Sequence, residues 1–276
     1  MNRFIILSVL LIFATFSCKR VAIKNKNSDE NITLKNDENY SSDYLLQSTL
    51  WYQKSAEMQA IYHQNFNLAK LVFNNKLAEN KSQKPKAIVV DIDETMLDNS
   101  PYEANLIKTN TSYTKKTWNE WCKLKIAKAL PGAVDFTNFV KSKGVEVFYI
   151  SNRYESSVEA SMENMKTLNF PFIDKNHFLF KNKISSKTER RNKVAQNYEI
   201  VMLLGDNLAD FAGIFENRSE YFGFNIVDEN KYLFGNKYFI FPNPMYGSWE
   251  KAVFGGSMKF SAEEKDSLRK TNLIGY

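Results

Sequence analysis

Between residues 42 and 78, apolar side chains recur at Leu46, Leu50, Trp51, Met58, Ile61, Tyr62, Phe66, Leu68, Ala69, Val72 and Phe73. Spacing by three and four residues predicts helix, either one long helix or two joined by a kink, with Ser41 or Ser42 as N-cap. The pattern then changes. Ala87–Val90, Val145–Ile150 and Ile200–Leu204 are short β-branched or aromatic runs, each followed at once by polar residues, and they read as buried strands. Helix-like stretches lie between them at Val134–Lys143, opened by Pro131-Gly132 and closed by Gly144, and at Glu155–Leu168. Strands alternating with helices predict an α/β fold whose parallel sheet is wound from βαβ units. Asn99–Leu130, with Tyr102, Tyr113, Trp118 and Trp121, interrupts the first such unit and reads as an insertion over its end. Further strands are expected at Tyr221–Ile226 and Tyr238–Phe241, and a last helix at Ser261–Arg269.

Parallel α/β sheets bind ligands beyond the carboxyl ends of their strands. The first strand runs into Asp91-Ile92-Asp93-Glu94-Thr95, two carboxylates at i and i+2. Such a pair is costly to bury unless a cation neutralises it, and it suits a nucleophile beside a general acid/base. The second strand ends in Ser151-Asn152-Arg153, whose hydroxyl and amide can donate to phosphate oxygens. Lys187 opens a later helix and can offset phosphoryl charge. The third strand ends in Gly205-Asp206-Asn207-Leu208-Ala209-Asp210, placing further acids at the same sheet edge. With His63 and His177 the only histidines, a His-rich metal site is excluded. An oxygen-ligated hard cation such as Mg²⁺ is expected instead, with Asp91, Asp93, Asp206 and, more weakly, Asp210 as ligands.

The N-terminus carries Arg3, an apolar run from Phe4 to Phe16 and then Ser17-Cys18. The run is short for a membrane span and resembles a bacterial lipoprotein signal peptide (1–17), with Cys18 as the lipidated residue. Residues 18–40, rich in Asn, Lys, Asp and Glu, read as a disordered tether, leaving 41–276 as the folded domain. The expected location is the bacterial cell envelope, lipid-anchored, in the outer membrane. Lipidation of Cys18 leaves Cys122 without a disulfide partner. A net charge of +6 is modest and dispersed, no nucleic-acid motif is present, and the acids would oppose a phosphate backbone, so nucleic acid is not an expected partner.

The order DxDxT, SN, Lys, GDNxxD resembles the haloacid dehalogenase-like (HAD-like) phosphatase superfamily over Lys86–Phe211. Its class C acid phosphatases, the lipoprotein-type 5′-nucleotidases, are a closer match. The matching segments are residues 51–57 (Trp51 to Glu57), 91–100, Trp118-Asn119-Glu120-Trp121, 151–153, 205–211 and Pro242-Asn243-Pro244-Met245-Tyr246-Gly247. The resemblance implies a Rossmann-like parallel sheet with helices on both faces and a mainly helical cap at about 99–130. It implies Asp91 as nucleophile and Asp93 as acid/base, with a backbone carbonyl from Asp93 on Mg²⁺. Ser151, Asn152 and Lys187 would bind phosphate, Asp206 would ligate metal, and Asp210 would act on metal-bound water or orient Lys187. Tyr246, and secondarily Tyr113, would stack on a substrate base, while Trp118 and Trp121 read as packing of the cap. The expected activity is hydrolysis of phosphomonoesters, nucleoside 5′-monophosphates or nicotinamide mononucleotide, through an aspartyl-phosphate, and the family is compatible with a homodimer. The competing readings are a phosphatase of other small phosphate esters and a non-catalytic, ligand-binding surface lipoprotein.

Overall fold

A computed structural model describes residues 42–79 and 82–276, all within one unit of the chain. Helix α1 (Leu46–Lys54) and helix α2 (Ala56–Glu79) are separated at Ser55, whose extended backbone breaks the helix and whose Oγ accepts from Met58 N at 2.9 Å. The kink is thus an N-cap, and it lets α2 start afresh. Ser42 does not cap α1: it begins a 3₁₀ turn, Ser42–Leu45, and its Oγ donates to Leu106 O at 3.1 Å. Ser41, the signal segment, the tether and Cys18 lie outside the described residues.

The strands and helices then alternate: β1 (Lys86–Val90), β2 (Leu97–Asp98), α3 (Ser100–Thr109), α4 (Lys115–Leu124), β3 (Lys128–Ala129), α5 (Ala133–Ser142), β4 (Glu146–Tyr154), α6 (Val158–Thr167), β5 (Phe178–Lys181), α7 (Thr188–Asn197) and β6 (Glu199–Gly205). Helix α8 (Phe224–Glu229), β7 (Tyr238–Ile240), α9 (Ser248–Val253) and α10 (Ala262–Thr271) complete the chain. Five strands form an all-parallel sheet in the order β5-β4-β1-β6-β7. Side chains alternate between its two faces. Ile88, Val90, Val147, Tyr149, Met202 and Leu204 pack with α2 and α5 through Tyr62, Phe66, Phe73, Phe136 and Val140. Ala87, Val89, Phe148, Ile150 and Leu203 face the other way, onto Val194 of α7, Phe211 and Phe215. The result is the Rossmann-like α/β architecture expected, with helices on both faces.

The insertion consists of α3 and α4, and its base is clasped by β2 and β3, which pair antiparallel through Leu97–Ala129 and Asp98–Lys128. Tyr102, Leu106, Trp118 and Cys122 make its own small core, with Trp121 packed against it. One predicted strand fails and one strand was missed. Tyr221–Ile226 is not a strand but a 3₁₀ turn leading into α8: Tyr221, Phe222 and Gly223 take φ of 46°, 56° and 86°, a left-handed run incompatible with extended chain. Its aromatic residues mislead because they are exposed rather than sheet-buried, Tyr221 at 78% and Phe224 at 68%. Strand β5, four residues at the sheet edge, is not anticipated at all.

Candidate active site

The central strand β1 delivers Asp91 to the middle of the sheet's carboxyl edge, where its backbone N–H donates to Leu204 O at 2.9 Å. The pairing of Val90 with Tyr149 and with Leu204 brings the ends of β4 and β6 beside it. The chain then folds tightly: Met96 N and Leu97 N both donate to Ile92 O, and Glu94 takes φ of 54°. That turn is held from behind. The Tyr62 hydroxyl donates to Glu94 O and accepts from Tyr52, while the buried Glu94 carboxylate accepts from Asn99 N at 2.8 Å. Burial lifts the Glu94 pKa well above its ordinary value, and the Asp93 and Asp206 charges add to that.

Asp91, Asp206 and Asp210 each offer a carboxylate oxygen, and these oxygens lie within 4.8 Å of one another. Lys187, at the start of α7, bonds Asp91 and, at 2.7 Å, Asp210. Asp206 accepts from Asn243 Nδ2 at 2.8 Å, and Asp210 accepts from Asn207 N at 2.9 Å, closing the 3₁₀ turn Leu208–Asp210. The close approach of Asp210 to the strand requires Gly205: a β-carbon there would lie 2.4 Å from Asp210 Oδ2. Three carboxylates and one ammonium leave two negative charges in a water-poor site. Burial pushes the Asp91 pKa to about 7; Lys187 opposes the rise, and Asp210 and Asp93 add to it. Asp206 is raised well above its ordinary value, by burial and then by Asp210 and Asp91. Burial also disfavours the Lys187 ammonium, but Asp210 and Asp91 outweigh it and hold its pKa above normal. An all-oxygen donor set with an excess charge of minus two fits a hard divalent cation, which would reverse the raised carboxylate pKa values.

The Asp93 side chain is not one of that trio but lines the same cavity. It accepts from Arg153 Nε at 2.8 Å, Asn99 Nδ2 at 2.9 Å and Ser151 Oγ at 3.2 Å. Arg153, 1% exposed, also donates to Ser161 Oγ at 2.9 Å and Asn99 Oδ1 at 3.0 Å. Burial opposes its charge, and Asp93 more than restores it. Ser151 is therefore buried beneath Asp93, whereas Asn152 is exposed at the cavity, its Oδ1 held by Arg190 Nη2 at 2.7 Å. That bond leaves the Asn152 Nδ2 hydrogens without a protein partner among the described residues.

A cavity of about 770 Å³ opens above these groups, and Tyr113 and Tyr246 both line it. Tyr113 is 55% exposed. Trp118 lines the edge of the cavity and packs on Tyr102, their ring centroids 5.0 Å apart. Trp121 donates to Asn99 Oδ1 at 2.8 Å. The two tryptophans thus do serve the packing of the insertion. His63 is exposed and away from the cavity; His177 bonds Asp174 and Glu146. The sequence reading assigned no role to Arg153, Asn99, Arg190 or Asn243, though three of the four stand inside the motif segments it singled out.

The fold and this edge of carboxylates define the class. The profile of the HAD superfamily, subfamily IIIB (acid phosphatase), matches residues 7–249. The chain belongs to that family. A class C acid phosphatase from Bacillus anthracis is 40% identical, superposes with a TM-score of 0.82, and the match covers 86% of this chain and 99% of that one. The same Bacillus anthracis enzyme with tungstate bound is equally similar, at 40% identity over 86% of this chain and 99% of the other, with a TM-score of 0.82. A stem 31 kDa glycoprotein of Glycine max is 27% identical over 164 residues, 57% of this chain and 58% of the relative. A stem 28 kDa glycoprotein of the same plant is 28% identical over 134 residues, 45% of this chain and 52% of its own length. The chain thus spans about half the length of these curated relatives.

Proposed function

We propose that this protein is a Mg²⁺-dependent phosphomonoesterase acting through an aspartyl-phosphate, with nucleoside 5′-monophosphates or nicotinamide mononucleotide as substrates. The observation that carries this reading is the Asp91–Asp206–Asp210–Lys187 cluster with Asp93 two residues from Asp91 on a separately anchored turn. Asp91 attacks phosphorus while the bond to the ester oxygen breaks. Asp93 protonates the departing alkoxide and then takes a proton from the water that cleaves the aspartyl-phosphate, restoring both carboxylates. Arg153, Asn99 and Ser151 fix the Asp93 carboxyl for both transfers. Lys187 and the free amide of Asn152 would hold phosphoryl oxygens as charge develops. Asp91, Asp206 and Asp210 would hold the cation, which supplies charge neutralisation between nucleophile and phosphate. The similar Bacillus anthracis enzyme binds tungstate, a tetrahedral oxyanion like phosphate, which supports this reading.

Nucleotides are favoured because Tyr113 and Tyr246 present aromatic rings to the cavity, and base–aromatic stacking contributes about 1–3 kcal/mol per base. Phosphate release from AMP, nicotinamide mononucleotide and p-nitrophenyl phosphate, with Mg²⁺ or EDTA, tests the reading. Release should require Mg²⁺ and fall at least about 10³-fold in Asp91→Asn, as removal of a covalent nucleophile does. Substantial turnover by that variant would overturn it. We also propose attachment to the outer membrane through lipid on Cys18; among the described residues no helix is long and apolar enough to cross a membrane. Metabolic labelling with an alkyne fatty acid should mark the native chain and not Cys18→Ser.

A further inference from the structure

The cavity extends from the catalytic carboxylates along α3, and its far wall carries a group the proposed reaction does not use. Glu103 lines the cavity, is 6% exposed, and has neither a hydrogen bond nor an ion pair among the described residues. It stands one helical turn, about 4.5 Å along the axis, beyond Ser100, whose neighbour Asn99 holds Asp93. Leu106, a further turn along the same face, also lines the cavity, as do Leu45 and Met258. The Glu250 carboxylate, engaged by Arg269 Nη2 at 2.7 Å, acts on Glu103 as a like charge and makes no hydrogen bond with it. With no protein donor among the described residues, the Glu103 carboxyl oxygens are met only by what fills the cavity. Apolar side chains interspersed with a few polar groups are the arrangement by which small-molecule pockets orient a ligand.

We propose that Glu103 is a specificity-determining residue. Its carboxyl oxygen accepts a hydrogen bond from an amino or amide N–H on the leaving group, selecting phosphomonoesters whose alcohol portion carries such a donor. This rests on the phosphatase reading above. An acceptor oxygen is present whether the carboxyl is ionised or neutral, so recognition does not depend on its charge. Burial and the Glu250 charge raise the Glu103 pKa to about 7, as expected of a carboxyl that no protein donor stabilises. Sites built to bond a substrate N–H discriminate strongly against analogues lacking it, because the site's own group is then left unpaired.

The test compares kcat/KM of the purified full chain for two matched pairs. AMP is set against purine riboside 5′-monophosphate, which lacks the amino group. Nicotinamide mononucleotide is set against nicotinic acid mononucleotide, in which carboxylate replaces the amide. The native chain should favour the donor-bearing member of at least one pair by about tenfold or more. Glu103→Leu should bring that ratio below about threefold, and Glu103→Gln, which keeps an acceptor oxygen, should retain most of it. No preference in either pair, or a ratio unchanged in Glu103→Leu, overturns the proposal. p-Nitrophenyl phosphate separates the two levels: if the native chain releases phosphate from none of the esters, the phosphatase reading fails. Calorimetric binding of adenosine against purine riboside, in native and Glu103→Leu chains, then decides the role of Glu103 by the same ratios.

Discussion

Gly205 shows how one missing side chain positions a carboxylate. It closes β6 without a left-handed backbone, so its freedom of conformation is not the reason for it; space is. The Asp210 carboxylate occupies the place of a β-carbon, held there by Asn207 N and Lys187. Gly205→Ala should displace Asp210 and with it Lys187. A shift on the scale of an ångström at a reacting centre costs about 10²-fold in turnover, so kcat/KM should fall by that order, and the overpacking should also cost about 1–3 kcal/mol of stability. An activity within threefold of the native protein would mean that neither Asp210 nor Lys187 needs this placement. Arg153 acts differently, through Asp93. Arg153→Lys keeps the charge but loses the three-way geometry to Asp93, Ser161 and Asn99. It should lower kcat about tenfold or more with KM nearly unchanged, since it touches the proposed proton-transfer group and not the phosphate. A change confined to KM would argue against this positioning role. Arg153 was readable as part of a motif, but its role was not. A single sequence shows an arginine after Ser151-Asn152 without showing that the chain folds it inward under 1% exposure.

Helix α2 shows what periodicity reveals at the scale of the element. Met58, Tyr62, Phe66, Ala69 and Phe73 form the buried stripe that the apolar spacing predicts. The same helix then acts on the site, since Tyr62 both packs on Phe241, ring centroids 5.0 Å apart, and anchors Glu94 in the turn after Asp91. Phe66 lies at the centre, with centroids 4.7 Å from Phe241 and 5.3 Å from Phe136. Phe66→Ala should cost about 3–5 kcal/mol in urea unfolding, as truncation of a fully buried aromatic does. A loss under 1 kcal/mol would show that α2 docks by other contacts. The central strands β1, β4 and β6 were legible for the same reason, each being a hydrophobic run too long and too β-branched for a loop. Strand β5 has only four residues and an edge position, and the segment at Tyr221 carries strand-like aromatics on a backbone bent by three consecutive positive φ angles. Local composition records neither edge pairing nor handedness.

Over the whole molecule, the distribution of buried charge differs from the net charge of +6. The clustered acids are balanced by Lys187 and Arg153, and would be balanced further by a cation, whereas Glu103 has no such partner among the described residues. That imbalance makes stability depend on pH in a way that can be worked through. In the unfolded chain Glu103 titrates near its ordinary 4.5; in the folded protein its pKa is about 7, through burial and then the Glu250 charge. The folded state therefore binds more protons between these values, and stability falls as pH rises through the window. Below about pH 4.5 the carboxyl is neutral in both states and carries no ionisation penalty. Above about 7 the penalty is complete, and a shift of this size corresponds to roughly 3 kcal/mol. Glutamine fills nearly the same volume and does not ionise. Glu103→Gln should thus match the native protein near pH 4.5, gain on it steadily to pH 7 and level off. At pH 8 the gain is about 5–10 °C in Tm for a chain of this size. Thermal unfolding of both proteins across that range, at one fixed Mg²⁺ concentration, measures the difference directly. A constant offset at every pH would show that Glu103 affects stability by packing alone. A gain that grows toward acid pH would mean that a donor meets the carboxylate in the folded protein, and that the far end of the cavity is already satisfied without a ligand.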